Sequence, residues 1–390
     1  MKPKANNIRV ALVVPHIFMH RDILPHVIFS PGVLARELAE GLSEYDIDVT
    51  FCTPGVPDVA TKSLSADMSY FERELAGRDD TYVDLLKKHP FTFVSLARQV
   101  QSELIADVFS RANNDEFDVV HIYTNEEDVA LPFAKLCTKP VVFTHHDPFN
   151  FMVKYKSVFP KYPDLNWLSI SMSQRSGMPP HTNWVANIYH GIDCSKYKAY
   201  GRNEKEPYVA YLGRIIEPKG VHLAIEAVET YNKSADTPII LKIAGKHYSD
   251  SEKDTYWREQ IEPRLSGSVQ YVGFIKDAAT KNEFLGRAKA LLIPSTFDEP
   301  FGMVMIEALA SGTPIIGLDS GAIPEIVTDY NGSIIHKSAD EHTTVARLSN
   351  ALNTIDTIDP NECRKDCESR FSIERMCQEH ASVYRQLATK

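Results

Sequence analysis

PSTFDEPFGMVMIEALASGTPII, residues 294–316, sets a loop, an apolar helix and a buried strand in immediate succession. Pro300 and Gly302 belong to a loop, Met303 to Ala310 form an apolar helix, Ser311-Gly312 ends it, and Pro314-Ile315-Ile316 begins a buried strand. A helix opened by glycine turns free backbone N–H groups and the positive end of its dipole toward whatever precedes it, which suits a phosphate. Glu299 stands just ahead of that position, and Glu307 lies about one turn inside the helix.

Glu307 is out of keeping with its neighbours. Met303, Val304, Met305, Ile306, Ala308, Leu309 and Ala310 leave no polar stripe on which to solvate a carboxylate. A buried carboxylate needs partners, and the paired hydroxyls of a ribose would satisfy both oxygens. The alternative is a solvated or capping glutamate on a short surface helix.

Outward from this stretch, short apolar runs alternate with helical segments. Arg9–Pro15 is rich in β-branched residues, as in a parallel strand buried on both faces. Further strands are expected at 48–52, 119–123, 141–144 and 167–171, with helices at 33–42, 92–111 and 127–136. After the hydrophilic stretch 199–207 the pattern restarts, with strands at 208–212, 239–244, 268–272, 290–293, 314–317 and 332–335. Such alternation predicts doubly wound parallel sheets. The expected organisation is therefore α/β, with one Rossmann-like domain over 1–198, a second over 199–371, and a terminal helix over 372–390.

With 390 residues the chain is too long for one ordinary core, and 43% hydrophobic content is enough for two. The formal charge of −10, with no basic half, argues against nucleic acid as a partner. Cys52, Cys137, Cys194, Cys363, Cys367 and Cys377 are scattered without a CxxC pair and read as free thiols, which favours a reducing compartment. The start of the chain shows no signal-peptide pattern and no stretch approaches a membrane span, so a cytoplasmic location is expected.

Several further segments, taken with residues 294–316, carry a resemblance that covers nearly the whole chain. Gly213-Arg214 with Lys219-Gly220, His190-Gly191-Ile192-Asp193 followed by Tyr197, and Ser320–Glu325 followed by Asn331-Gly332 resemble, in order and spacing, the retaining nucleotide-sugar glycosyltransferases of glycosyltransferase family 4. The resemblance implies the GT-B fold, two Rossmann-like domains facing across a cleft, and the terminal helix crossing back to the first domain. It also implies a nucleotide-sugar donor and transfer of a hexose with retention to a hydroxyl acceptor. UDP-linked glucose or N-acetylglucosamine is the first expectation for the donor and GDP-mannose the second; the acceptor stays open.

Glycosyl transfer places positive charge on the anomeric carbon while a diphosphate departs, so cations must reach the phosphates. Arg214, just after a strand, supplies a planar fork, and Lys219, five residues later at a helix entrance between Pro218 and Gly220, a point charge. The resemblance adds Gly32 for the distal phosphate, although the usual glycine pair is Pro31-Gly32 here. It places Phe301, Gly302, Met303, Val304 and Glu307 on the donor. His146 and Glu299 are implied to act at the sugar, with Asp147 able to orient either His145 or His146. Arginine, lysine and helix dipole stand where other enzymes use a metal, so no metal or other cofactor is expected. Asp46 and Asp48 flank an ordinary strand start, and His16, His20 and His26 lack a ligand set.

Other classes fit less well. No GxGxxG opens either half, a Walker loop is absent, and no pyridoxal lysine can be placed. A sugar-nucleotide-binding protein without turnover remains the non-enzymatic alternative. Two regions are candidate acceptor surfaces. Residues 55–100 are the least sheet-like part of the first half. Between Phe149 and Trp167, Lys154, Lys156 and Lys161 alternate with aromatics and suit an anionic acceptor or peripheral contact with lipid head groups. A lysine-rimmed loop over an aromatic cluster accounts for the same residues.

Overall fold

The computed structural model describes residues 7–24, 27, 29–247 and 254–389; His26 and the first six residues lie outside them. The chain divides into two compact units, residues 1–189 with 373–390, and residues 190–372.

In the first unit, β1 (Ile8–Val13), β2 (Ile47–Pro54), β3 (Lys62–Ala66), β4 (Val119–Tyr123), β5 (Val141–Thr144), β6 (Asn166–Ser169) and β7 (Trp184–Asn187) form one sheet. Its order is β3-β2-β1-β4-β5-β6-β7, and every pair is parallel. The connecting helices are α1 (Ser30–Gly41), α2 (Ser69–Leu75), α3 (Tyr82–Lys88), α4 (Pro90–Asn113) and α5 (Val153–Val158). The central strands are those with continuous apolar runs, since both their faces are covered. Both strands that the pattern did not predict, β3 and β7, are sheet edges. Neither carries a buried apolar run, so neither has the periodic signal of a central strand. The predicted helix over 127–136 is instead two 3₁₀ turns, Glu127–Val129 and Leu131–Leu136, interrupted near Pro132, which has no N–H to continue a ladder.

The second unit holds β8 (Tyr208–Leu212), β9 (Ile240–Ala244), β10 (Val269–Gly273), β11 (Leu291–Ile293), β12 (Ile315–Leu318) and β13 (Gly332–Ile335) in the order β10-β9-β8-β11-β12-β13, again all parallel. Its helices are α6 (Val221–Asn232), α7 (Ala278–Gly286), α8 (Met303–Ala310), α9 (Ile323–Ile326), α10 (Glu341–Ala351) and α11 (Pro360–Arg370). Strand order reverses between β8 and β11, so their outgoing loops leave a crevice at the carboxyl edge of the sheet.

The division at residues 189 and 190 precedes the expected boundary, and 199–207 is not a free link. Ile192 N donates to Phe371 O at 2.9 Å and Tyr200 N to Ser311 O at 3.0 Å, while Lys205 Nζ donates to the carbonyls of Gly286 and Gly312, each at 2.7 Å. Lys205, one of the charges that give this stretch the look of a linker, thus helps to hold it to the second unit. The amphipathic helix α12 (Ile373–Ala388) belongs to the first unit, where Tyr384 Oη lies 2.7 Å from His121 Nδ1.

Candidate functional site

Two loops build the site of the second unit. After β8, Gly213 N and Ile215 N bond to the carbonyls of Ala244 and Lys246, which hold the exposed Arg214 at the sheet's edge. A 3₁₀ turn, Glu217–Lys219, then stops at Gly220, whose φ is +67°. Only glycine serves there, because a Cβ would stand 2.1 Å from Pro294 O. After β11, Thr296 N and Phe297 N both donate to Pro218 O, at 3.0 and 3.2 Å. Laced in this way, the loops bring Lys219 Nζ onto Glu299 Oε1, an ion pair with little solvent exposure.

Beyond Glu299 the chain turns inward at Phe301, which is 1% exposed and packs edge-on against His190 at 4.9 Å. Gly302, at φ +100°, opens α8 with no side-chain cap. The first amides of the helix, at Met303 and Val304, therefore have no intrahelical acceptor, as a phosphate site requires.

Glu307, which reads in sequence as a carboxylate without company, has two partners. Lys281 Nζ lies 2.5 Å from its Oε1, and Tyr197 Oη donates to the same oxygen at 3.3 Å. Asn282 braces the arrangement. Its amide accepts from Lys198 N at 3.0 Å and donates to Lys198 O at 3.1 Å and to Ser311 Oγ at 2.8 Å. Ser311 Oγ in turn donates to Glu307 O at 2.8 Å. Lys281 was not singled out from the sequence, where it resembles any lysine on a short helix; no motif spacing marks it.

The first unit carries the remaining predicted residues. Gly32, near the start of α1, is packed so closely that a Cβ would stand 2.5 Å from Met19 Sδ, and its N–H donates to Phe29 O at 3.1 Å. His146 follows β5 and is buried, with its ring 4.5 Å from that of Tyr123. Burial, then His145, His121 and His380, holds it well below the usual imidazole range, so the ring is neutral. Asp147 receives Asn125 Nδ2 at 3.0 Å and Tyr155 Oη at 3.4 Å. The carboxyl beside His145 is Glu127, 3.2 Å from Nδ1 and fully buried, a partner that sequence reading missed. Burial pushes Glu127 well above the carboxylate range and His145 down to about 3, so the pair is an uncharged acid against an uncharged ring. Gln174 Nε2 donates to His145 O at 2.7 Å and Asp147 O at 3.1 Å, fixing the segment that bears His146.

The aromatic and lysine run after Phe149 divides by burial. Tyr155, Phe159 and Trp167 enter the core, Lys154 Nζ pairs with Asp128 at 2.8 Å, and Phe151, Met152 and Val153 are exposed. Asp48 is engaged by Lys62 at 2.7 Å. Among the described residues no group of three or more His, Cys, Asp or Glu side chains could hold a metal, none of the six cysteines is in a disulfide, and no helix is long and apolar enough to cross a membrane.

Residues 195–366 match the family described as glycosyl transferases group 1. The chain is 28% identical over 208 residues to an alpha-maltose-1-phosphate synthase of Mycobacterium tuberculosis, an alignment covering 48% of this chain and 50% of that protein. The chain thus spans about half the length of the curated relatives it matches. Sucrose-phosphate synthase from Thermosynechococcus elongatus superimposes with a TM-score of 0.70 at 18% identity, over 98% of this chain and 99% of that one. Anabaena HepE, solved with UDP and glucose, gives 0.66 at 16% identity, over 97% and 100%. The fold is GT-B. The family match thus covers residues 195–366, within the second unit, and the superpositions over nearly the whole chain show the shared fold.

Proposed function

We propose that the chain is a retaining hexosyltransferase that moves a hexose from a nucleoside diphosphate sugar, a UDP-sugar first, to a hydroxyl acceptor. The observation that carries this reading is the Lys219–Glu299 pair set beside the uncapped start of α8, on the two loops that leave the switch point between β8 and β11. A diphosphate placed there meets Lys219, the amides of Met303 and Val304, and Arg214 from the loop after β8. These groups stabilise the charge that develops on the leaving phosphate. Glu299 then shares its oxygens between Lys219 and the sugar hydroxyls, and Glu307 takes the ribose. His146, neutral in its buried setting, serves the sugar as a hydrogen-bonding group rather than as a charge. Retention follows from departure and attack on one face, with the leaving phosphate taking the acceptor's proton. The fold shared with HepE, solved with UDP and glucose, supports the choice of donor.

A thermal-shift screen over UDP-, GDP- and ADP-sugars tests the reading. A bound donor at about 100 times its dissociation constant adds roughly 2.7 kcal/mol of stability. Slow hydrolysis of UDP-glucose by the purified chain is the expected activity. No shift with any nucleotide sugar, together with no hydrolysis, would sink the proposal.

A further inference from the structure

We infer that Lys281, together with Tyr197, is a positioning residue that fixes Glu307 for recognition of the donor's ribose; this rests on the donor reading above. Both contacts fall on one oxygen. Oε1 takes Lys281 Nζ at 2.5 Å and Tyr197 Oη at 3.3 Å, and among the described residues Oε2 receives no hydrogen bond. A carboxylate held at one oxygen has a fixed plane, so its second oxygen offers its lone pairs in a set direction. That is what a hydroxyl donor needs and what a freely rotating glutamate lacks.

Each element carrying the device is anchored independently of the carboxylate. Lys281 lies on α7, which Asp277 caps by accepting from Thr280 N at 2.7 Å. Its neighbour Asn282 bonds both to Lys198, next to Tyr197, and to Ser311 at the end of α8. Arg364 Nη1 donates to Tyr197 O and to Ala310 O, each at 2.8 Å, and so ties the tyrosine's backbone to the same helix. Lysine, tyrosine and glutamate therefore keep their spacing without a ligand. The cation also meets the cost of keeping a charge on a helix whose other side chains are apolar.

The experiment compares, by calorimetry on the full chain, whichever of UDP, GDP and ADP binds most tightly with its 2′,3′-dideoxy form. For the wild type the dideoxy form is expected to bind about 30-fold more weakly, as befits hydrogen bonds to a charged acceptor. Lys281→Met should weaken the parent nucleotide and reduce that ratio to about threefold or less, whereas Lys281→Arg should restore it. In turnover, Lys281→Met should raise the donor KM and leave kcat within about twofold, a split that general loosening of the fold would not produce. Tyr197→Phe, which removes only one hydroxyl, should lower the ratio part of the way and provides the test if Lys281→Met does not fold. A Lys281→Met protein that discriminates as well as the wild type overturns the inference. So does a wild type that binds the nucleotide but ignores its ribose hydroxyls, and in that case the donor reading survives. A wild type that binds no nucleoside diphosphate overturns both.

Discussion

Gly321 lies directly beneath Glu299: a Cβ at Gly321 would stand 2.2 Å from Glu299 N and 2.4 Å from its carbonyl oxygen. Gly321 also has a φ of +58°, and the next residue, Ala322, donates its N–H to Glu299 O at 2.8 Å. A residue 22 positions away in sequence thus sets the height of the glutamate's backbone. Gly321→Ala should cost roughly 2 kcal/mol or more, through positive φ and steric overlap together, and should lower turnover as well. Urea denaturation and steady-state kinetics would measure both. A Gly321→Ala protein with wild-type midpoint and kcat would contradict the account.

The two glutamates should fail differently. On the proposed assignment Glu299 faces the ring that becomes cationic, so Glu299→Gln should fall mainly on kcat, by about 10²-fold if the interaction is worth roughly 3 kcal/mol more in the transition state. Glu307 is assigned to a part of the donor that does not react, so Glu307→Ala should mainly raise the donor KM. Retained kcat in the first variant with an unchanged KM in the second would reverse the assignment.

Removing Lys219 leaves Glu299 a largely buried carboxylate without its cation. Lys219→Met should therefore weaken both stability and phosphate binding, by about 3 kcal/mol for the broken pair. Its activity should not be rescued by added magnesium or manganese, and wild-type activity should survive EDTA, because in the proposed reading fixed cations and a helix terminus serve the diphosphate. Loss of wild-type activity in EDTA, restored by a divalent ion, is the opposing result.

The buried Glu127–His145 pair predicts a pH effect with a definite sign. Burial raises Glu127 above its ordinary value near 4.5, so the stability it contributes is full below that value and is lost as pH rises toward the folded pKa. Burial lowers His145 to about 3, so its contribution is full above its ordinary value of 6.5 and is lost as pH falls toward 3. Glu127→Gln can still donate to Nδ1 while abolishing only the carboxyl's pH dependence. Its stability relative to the wild type should grow from about pH 5 to about pH 8, by at most roughly 1.4 kcal/mol per pH unit. Denaturant midpoints for both proteins across that range would show it; a constant difference would mean that Glu127 is ionised in the folded chain.

The central strands, the helix at 303–310 and the glycine that opens it were legible in the sequence because their causes are local. β-branched apolar runs suit strands covered on both faces, and a glycine followed by apolar residues marks the start of a buried helix. Glu299, Glu307, Lys219 and Arg214 stand out in the sequence through spacing and resemblance, and the structure brings Lys219 onto Glu299. The edge strands β3 and β7 were not, since exposed edges need no apolar pattern. The partners of the functional groups were hidden as well.

Tertiary structure decided that Lys281 meets Glu307, that Tyr197 reaches it from 110 residues away, that Glu127 faces His145, and that Gly321 underlies Glu299. A lysine or glutamate carries no local mark of the group it will pair with; that depends on which loops the strand order brings side by side. Residues 199–207 show the same limit from the other side. Their charges read as a solvated linker, yet hydrogen bonds from Tyr200 and Lys205 to distant carbonyls hold them against the second unit. Composition determined where apolar surface had to be buried, whereas the pairing of polar groups within that burial was left to packing.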